Sequence, residues 1–262
     1  MRKWHGWMTA AVAMMALGGV VQGEDAAQGE DAAKLATVKD GVPCKDADEG
    51  FVSMMKGDTL DGWDGQSGWW EVKDGVLFAE STPEKPCTAS HYIYWRGTGE
   101  KPVEPADFEL RCSFRMAGKG ANSGIHIRSE TRPNWDMWGY QADTDMENDW
   151  TGCLFEHARG GVAMRGEKVV IERDGTKHVE KLINVADPKA ELCKKIRTGE
   201  WNDYRIVAQG PKIQLWINDT LMSEVEDHDA KEAKEKGMIS LQMHQGMPMK
   251  VEFRDLRIRI DR

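Results

Sequence analysis

Most signatures of common enzyme chemistry are missing from this sequence. There is no GxSxG, no P-loop and no GxGxxG, so serine hydrolase, nucleoside triphosphatase and dinucleotide readings lack their local motifs. There is no CxxC, HxH or HExxH, which leaves a zinc centre unsupported and no metal ligand set to assign. Basic charge is also short. Against 44 acidic residues stand 35 Lys and Arg, a formal charge of -9, which argues against nucleic acid and against anionic lipid as partners. Long apolar runs are limited to "WMTAAVAMMALGGVV", which is short for a membrane span and has no successor.

That run follows "MRK" and precedes Val21 and Gly23 at minus three and minus one before "EDAAQGEDAA". The layout leads us to expect a signal peptide over residues 1–23, an exported protein (periplasmic or extracellular) and no membrane contact after processing. Removal takes away Arg2 and Lys3 and no acid, moving the charge to -11. Residues 24–48, rich in Ala, Gly, Asp and Lys, read as a flexible lead. A single domain is expected over 49–262.

Five cysteines leave at least one thiol unpaired. Cys112 and Cys153 lie in apolar strand patterns and read as buried, while any bridge would join two of Cys44, Cys87 and Cys193.

Strand-sized runs alternate with Gly, Asp and Pro turns. In "DFELRCSFRM", Phe108, Leu110, Cys112, Phe114 and Met116 take one face. "YRIVAQGPKIQLWINDTLMSEV" reads as a meander with its turn at "ND". In the last strand the apolar phase slips between Phe253 and Leu256, predicting a bulge near Arg254 or Asp255. Only "DPKAELCKKI" and "DHDAKEAKEK" look helical. The fold class is therefore all-β: a two-sheet antiparallel β-sandwich with one or two short helices.

Chemistry-bearing residues concentrate at strand ends. "GYQADTDMENDWTG" holds Asp143, Asp145, Glu147 and Asp149. Read as a strand, its first half puts Gln141, Asp143 and Asp145 on one face. An EF-hand loop starting at Asp143 would need Gly where Asn148 stands and Glu where Leu154 stands. A different divalent-cation site (Ca2+) near Asp143, Asp145 and Glu147, or an acidic turn without ligand, both stay open. "NSGIHIRS" offers His126 and Arg128, "CLFEHARGG" offers Glu156 and His157, and "LQMHQGMPM" offers Gln242 and His244. Each is equally at home in a satisfied cross-strand network, but together with Asp143 they suit acid–base chemistry. Trp138 and Trp150 flank the acidic stretch, as sugar-stacking faces or as loop anchors.

"GDTLDGWDG", "WWEVKDGVL", "DFELRCSFRM", "NSGIHIRS", "GYQADTD", "EWNDYRIVAQGPKIQLWIND" and "GMISLQMHQGMPMKVEFRDLRIR", in this order, resemble the 3-keto-disaccharide hydrolase domain family from about Gly50 to Arg262. "GYQAD" and "FEHARGG" resemble its planctomycete-type branch. The resemblance implies a concanavalin A-like jelly roll and a saccharide or glycoside substrate whose C3 hydroxyl is oxidised to a ketone. A C3 ketone acidifies C2–H. A base removes that proton, the C1 oxygen leaves with help from an acid, and water adds to the enone, giving net hydrolysis. Side-chain chemistry and strand phase nominate Asp143 or His244 as base and Glu156 or His157 as acid. Arg128 with Gln141 would steady the ketone oxygen, and His126, Gln242, Trp138 and Trp150 would line the substrate. The alternatives are a non-catalytic carbohydrate-binding module of the same fold, and an ordinary two-carboxylate glycosidase.

Overall fold

The computed structural model describes residues 50–97 and 101–261. The expected signal peptide and flexible lead, and Cys44, lie outside these residues. In chain order the first strands are β1 (Val52–Ser53), β2 (Trp63–Gly65), β3 (Trp70–Lys73), β4 (Val76–Glu80), β5 (His91–Trp95) and β6 (Phe108–Ala117). Next come β7 (Asn122–Arg132), β8 (Asp136–Asp145), β9 (Leu154–Glu156), β10 (Gly160–Ala163), β11 (Glu167–Ile171) and β12 (Lys177–Lys181). The helix α1 (Pro188–Cys193) precedes β13 (Asn202–Gln209), β14 (Lys212–Ile217), β15 (Thr220–Asp227), β16 (Met238–Met243) and β17 (Lys250–Ile260).

Two sheets form. One has ten strands in the order β12-β11-β15-β14-β13-β6-β17-β4-β3, with β1 also on β17. The other has seven, in the order β10-β9-β8-β7-β16-β5-β2. Pairing is antiparallel except between β11 and β15. This is the antiparallel two-sheet jelly roll that the strand pattern and the resemblance led us to expect. The core lies between the sheets. Phe108, Leu110, Cys112, Phe114 and Met116 enter it from β6, facing Ile125, Ile127, Tyr140, Ala142 and Leu241 from the seven-stranded sheet. Asn218 and Asp219 both have left-handed φ in the β14–β15 turn, and the β17 register slips between Arg254 and Arg257 with Asp255 at φ 55°. Both features follow the sequence pattern.

Three expectations need correction or completion. First, "DHDAKEAKEK" is not a helix. Asp229 caps one turn through Lys231 and Glu232, but the backbone then leaves: Lys234 N–H donates to the Tyr140 hydroxyl, and Lys234 carbonyl accepts from Arg128. Tertiary hydrogen bonds override helix propensity here. Second, Cys87, Cys112, Cys153 and Cys193 are all free thiols, so Cys87 and Cys193 join no bridge. Third, Arg128 does not sit on the outer face with His126. The β7–β8 register breaks between Ile127 and Glu130, and Arg128 occupies φ 46° in that bulge. Its guanidinium is 2 % exposed and bonds the carbonyls of Ala106, Gly210 and Lys234, with Asp107 alongside. It ties the end of the ten-stranded sheet to the seven-stranded one.

Replacing Arg128 with Lys offers one nitrogen to three carbonyls and leaves a buried position short of donors. We expect Arg128→Lys to lower unfolding stability by about 2–4 kcal/mol. Urea titration checks this, and a loss below about 0.5 kcal/mol would show the clamp to be idle.

Candidate active site on the seven-stranded sheet

The strand pleat sends one set of side chains from this sheet into the core and the other set outward. On β8, Tyr140, Ala142 and Thr144 point in, while Gln141, Asp143 and Asp145 point out. Cross-strand register then builds two polar rows. Phe155, Gln141, His126, Ser240, Tyr94 and Asp64 stand opposite one another across six strands. Asp143, Gly124, Gln242 and Tyr92 form the second row. Gly124 matters here, because a Cβ would lie 2.6 Å from the Gln141 side chain.

Gln141 of the first row ties the side chains of the second into a hydrogen-bonded chain. Gln141 Nε2 donates to Asp143 Oδ1 at 2.5 Å and to Gln242 Oε1 at 3.1 Å. Gln242 Nε2 donates to the Tyr92 hydroxyl at 3.0 Å. Asp143 is 5 % exposed. Burial raises its pKa well above the usual carboxylate range, the Gln141 bond opposes this, and Asp145 adds to it. Asp143 is therefore a carboxyl able to hold a proton, with Oδ1 engaged by Gln141.

His126 lies at the centre and is wholly buried, yet neither ring nitrogen has a hydrogen-bond partner. Gln141 lies near enough to favour the imidazolium weakly, but without hydrogen-bond geometry. Burial, reinforced by His157, pushes the His126 pKa down to about 3, so the ring is neutral at physiological pH. The neighbouring Ser240 hydroxyl is likewise buried and unpartnered. Orphaned buried polar atoms are rare, and two of them opposite each other on adjacent strands mark where a polar ligand would bind.

His157 packs beside His126, with ring centroids 5.3 Å apart, and between Trp138 and Phe155. Its Nδ1 lies 2.9 Å from the Gly139 carbonyl. The Gly139 N–H also lies 3.3 Å from Nδ1, so the two contacts call for opposite tautomers; donation to the nearer carbonyl puts the proton on Nδ1 and leaves the Nε2 lone pair free. Trp150, 37 % exposed, packs edge-on to Phe155 at the rim.

Not all the sequence candidates meet. Gln141, Asp143, His126, His157, Gln242 and Trp138 do. His244 lies one residue beyond β16, its Nδ1 on the Gln245 carbonyl. Glu156 is opposite Tyr140 and so faces between the sheets, where Arg159 joins it to Asp227 and Asp229. Strand phase separates it from His157 by one residue and therefore by one face. The Asp143, Asp145 and Glu147 carboxylates do not converge. Asp145 accepts from the N–H groups of Asp149, Trp150 and Thr151, and Glu147 accepts from Gly120 N–H. Among the described residues no group of three His, Cys, Asp or Glu is placed to hold a metal ion. The acidic stretch is thus a strand followed by a loop that Asp145 folds around itself.

Sequence reasoning missed Tyr92, Ser240 and Asp64. The signal for Tyr92 was present in "HYIYW", where Tyr92 and Tyr94 alternate with Ile93 and Trp95. Elsewhere, a surface depression lined by Phe51, Met55, Gly75 and Asp255 lies by β1, away from these groups.

A jelly roll with acid–base groups gathered on one sheet face defines an architecture and a candidate site, and the fold by itself does not choose the chemistry. The comparisons narrow this. Residues 50–259 match the 3-keto-alpha-glucoside-1,2-lyase-like domain, and the chain belongs to that family. Two Parabacteroides distasonis crystal structures, each assigned by name alone as a glycosyl hydrolase, share the fold. One is 18% identical, with TM-score 0.52, over 80% of this chain and 99% of that one. The other is 15% identical, also with TM-score 0.52, over 85% and 99%. No curated protein matches the chain. Among the described residues, no helix is long and apolar enough to cross a membrane.

The His126 environment predicts a pH signature. Unfolding returns the ring to its ordinary value of 6.5, so the unfolded state takes up a proton that the folded state refuses. Stability from this group is complete above pH 6.5 and falls as pH drops toward 3, by at most about 1.4 kcal/mol per unit. Denaturant titrations from pH 7 to 4 should show this slope in the wild type and a shallower one in His126→Leu. Equal slopes would mean that His126 is not buried neutral.

Proposed function

We propose that this protein cleaves glycosides whose sugar ring carries a ketone at C3, by elimination and hydration. The observation that carries the reading is the triplet of His126, Asp143 and His157 on one enclosed face. One ring nitrogen pair is unpartnered, one carboxyl is raised in pKa, and one imidazole is held at Nδ1 by the Gly139 backbone. Family membership supports the sugar and the ketone.

In this reading His157 Nε2 takes the C2 proton, and the electron pair moves onto the ketone oxygen as an enolate. The oxygen pair then re-forms the ketone, the C2=C3 pair shifts to make the C1=C2 bond, and the C1–O bond breaks with its pair on the leaving oxygen. The leaving oxygen receives the proton held by Asp143. The proton on His157 exchanges with solvent as the alcohol departs; water then adds across C1=C2, its hydroxyl to C1 and a proton from His157 to C2, and the released water proton returns to Asp143. The products are the free keto sugar and the alcohol. These roles reverse the order expected from sequence, where Asp143 or His244 was the base and Glu156 or His157 the acid. The tautomer of His157 and the burial of Asp143 favour the reversal. His126, neutral, accepts from or donates to a ring hydroxyl. The Tyr92 hydroxyl, already accepting from Gln242, has its own proton to offer the enolate oxygen.

The test uses 3-keto-glucosides and their unoxidised parents, with and without a chelator. We expect cleavage of the keto forms only. Asp143→Asn and His157→Gln should each lower kcat by roughly 100-fold or more, the scale of lost acid–base catalysis. The chelator arm decides whether a divalent cation takes part. Cleavage of the parents at equal rate would replace the proposal with an ordinary glycosidase. Binding of glycan without turnover would replace it with a carbohydrate-binding module.

A further inference from the structure

The outer face of the ten-stranded sheet lies across the sandwich from the candidate site, and its charge runs against that of the chain. The sequence as a whole carries a formal charge of -9. Strands β13, β6 and β17, adjacent at the centre of the sheet, carry seven cations and four anions between them.

Cross-strand register draws this charge into a line. Arg205 on β13 stands opposite Arg111 on β6, and Arg111 stands opposite Arg257 on β17. Trp216 continues the row on β14, and Ser53 ends it on β1. Neighbouring strands are about 4.8 Å apart, and like charges directly opposite each other destabilise a sheet. Three arginines in line therefore cost stability that alternating signs would keep. Beside the row, Arg111, Arg205 and Arg259 share the one carboxylate of Glu109.

Aromatic rings fix how the guanidiniums lie. Arg205 sits over Trp216 at 5.3 Å, and Arg115 and Arg254 sit over Trp201 at 4.7 and 4.2 Å. A stacked guanidinium uses its face and keeps its N–H edge for an oxyanion. Arg254 Nε and Trp216 Nε1 are buried donors without a hydrogen-bond partner, so what they lack is an acceptor. At its β1 end the row meets a depression of about 390 Å³, lined in part by Phe51, Ser53, Met55, Asp255 and Arg257. Asp255 pairs with Arg254 at 3.5 Å, which matches its charge.

We propose that this face binds an acidic polysaccharide, with carboxylate or sulfate groups on the Arg205–Arg111–Arg257 row and the chain running into the depression. Charge complementarity selects a polyanion. The narrowness of the strip selects a single extended chain. Glu226 on β15, and Glu71 and Glu80 on β3 and β4, flank it and would repel a broad anionic surface such as a membrane or a duplex. Family membership favours a glycan as that chain. The inference is independent of the keto-glycoside reading, because the two sites occupy opposite outer faces.

The experiment measures fluorescence anisotropy of four labelled probes: hexagalacturonate, a sulfated dextran oligomer, neutral dextran of the same length, and single-stranded DNA of matched charge. The proteins are the wild type, Arg205→Gln with Arg257→Gln, and a control pair, Lys119→Gln with Lys168→Gln, that removes equal charge elsewhere. We expect the wild type to bind at least one acidic oligosaccharide and not neutral dextran. The arginine pair should weaken that binding by about tenfold and the control pair by less than about twofold. Arg257→Gln alone should weaken it by about threefold, which keeps the test open if the arginine pair fails to fold. Whether the uronate, the sulfate or both probes bind assigns the anion. No binding of either acidic oligosaccharide would overturn the inference, as would equal losses in the arginine and control pairs. DNA bound more tightly than both oligosaccharides would overturn the assignment to a glycan. None of these results bears on cleavage of keto-glycosides, which a parallel assay of the same variants should find unchanged.

Discussion

Strand β8 is paired on both edges and, from Tyr140 to Asp145, enclosed on both faces. That double enclosure constrains everything around it. On the core face the solution is Tyr140, Ala142 and Thr144. On the outer face the residues are polar, and each needs a partner. Gln141 supplies two, donating to Asp143 and to Gln242, and Gln242 passes the chain on to Tyr92. Asp145 solves the same problem by gathering the N–H groups of its own loop. What stays unsolved beside this network is His126 with Ser240. These two unpartnered groups, beside a network that is otherwise satisfied, are the polar atoms that a ligand on this face would have to meet.

The bulge at Arg128 links that face to the rest of the molecule. It turns one side chain away from the outer face, where it clamps three loop carbonyls, and it redirects the hairpin that follows. One backbone irregularity therefore serves stability at the sheet end and shape above the site. The Glu156–Arg159–Asp227 network does comparable work between the sheets, where the Tyr140 hydroxyl also joins Asp227. Buried charges there are matched across β9 and β15, so the acid that sequence placed in the site holds the sheets together instead.

Regular alternation made most of the fold legible. The β6 pattern, the Asn218–Asp219 turn and the β17 phase slip each reflect a local rule that nothing overrides. Alternation also put Gln141 and Asp143 on one face correctly. It failed where the register breaks. Arg128 was assigned the face of His126 because the bulge leaves no mark in "GIHIRS". Glu156 and His157 were kept together because a strand end cannot be told from its loop to within one residue. "DHDAKEAKEK" has helical composition, and only contacts from Tyr140 and Arg128, far away in sequence, pull it out of a helix. Tyr92 hid inside an aromatic strand because its hydroxyl matters only once Gln242 is beside it.

The central claim is that His157 and Asp143 act on the C2 proton and the C1 oxygen of a keto sugar. Cleavage of a 3-keto-glucoside in deuterium oxide, quenched early and read by mass spectrometry and proton NMR, tests it most directly. Elimination and rehydration predict one deuterium at C2 of the released keto sugar, acquired in step with turnover and faster than exchange without enzyme. Release of the sugar with its C2 proton intact would contradict the account.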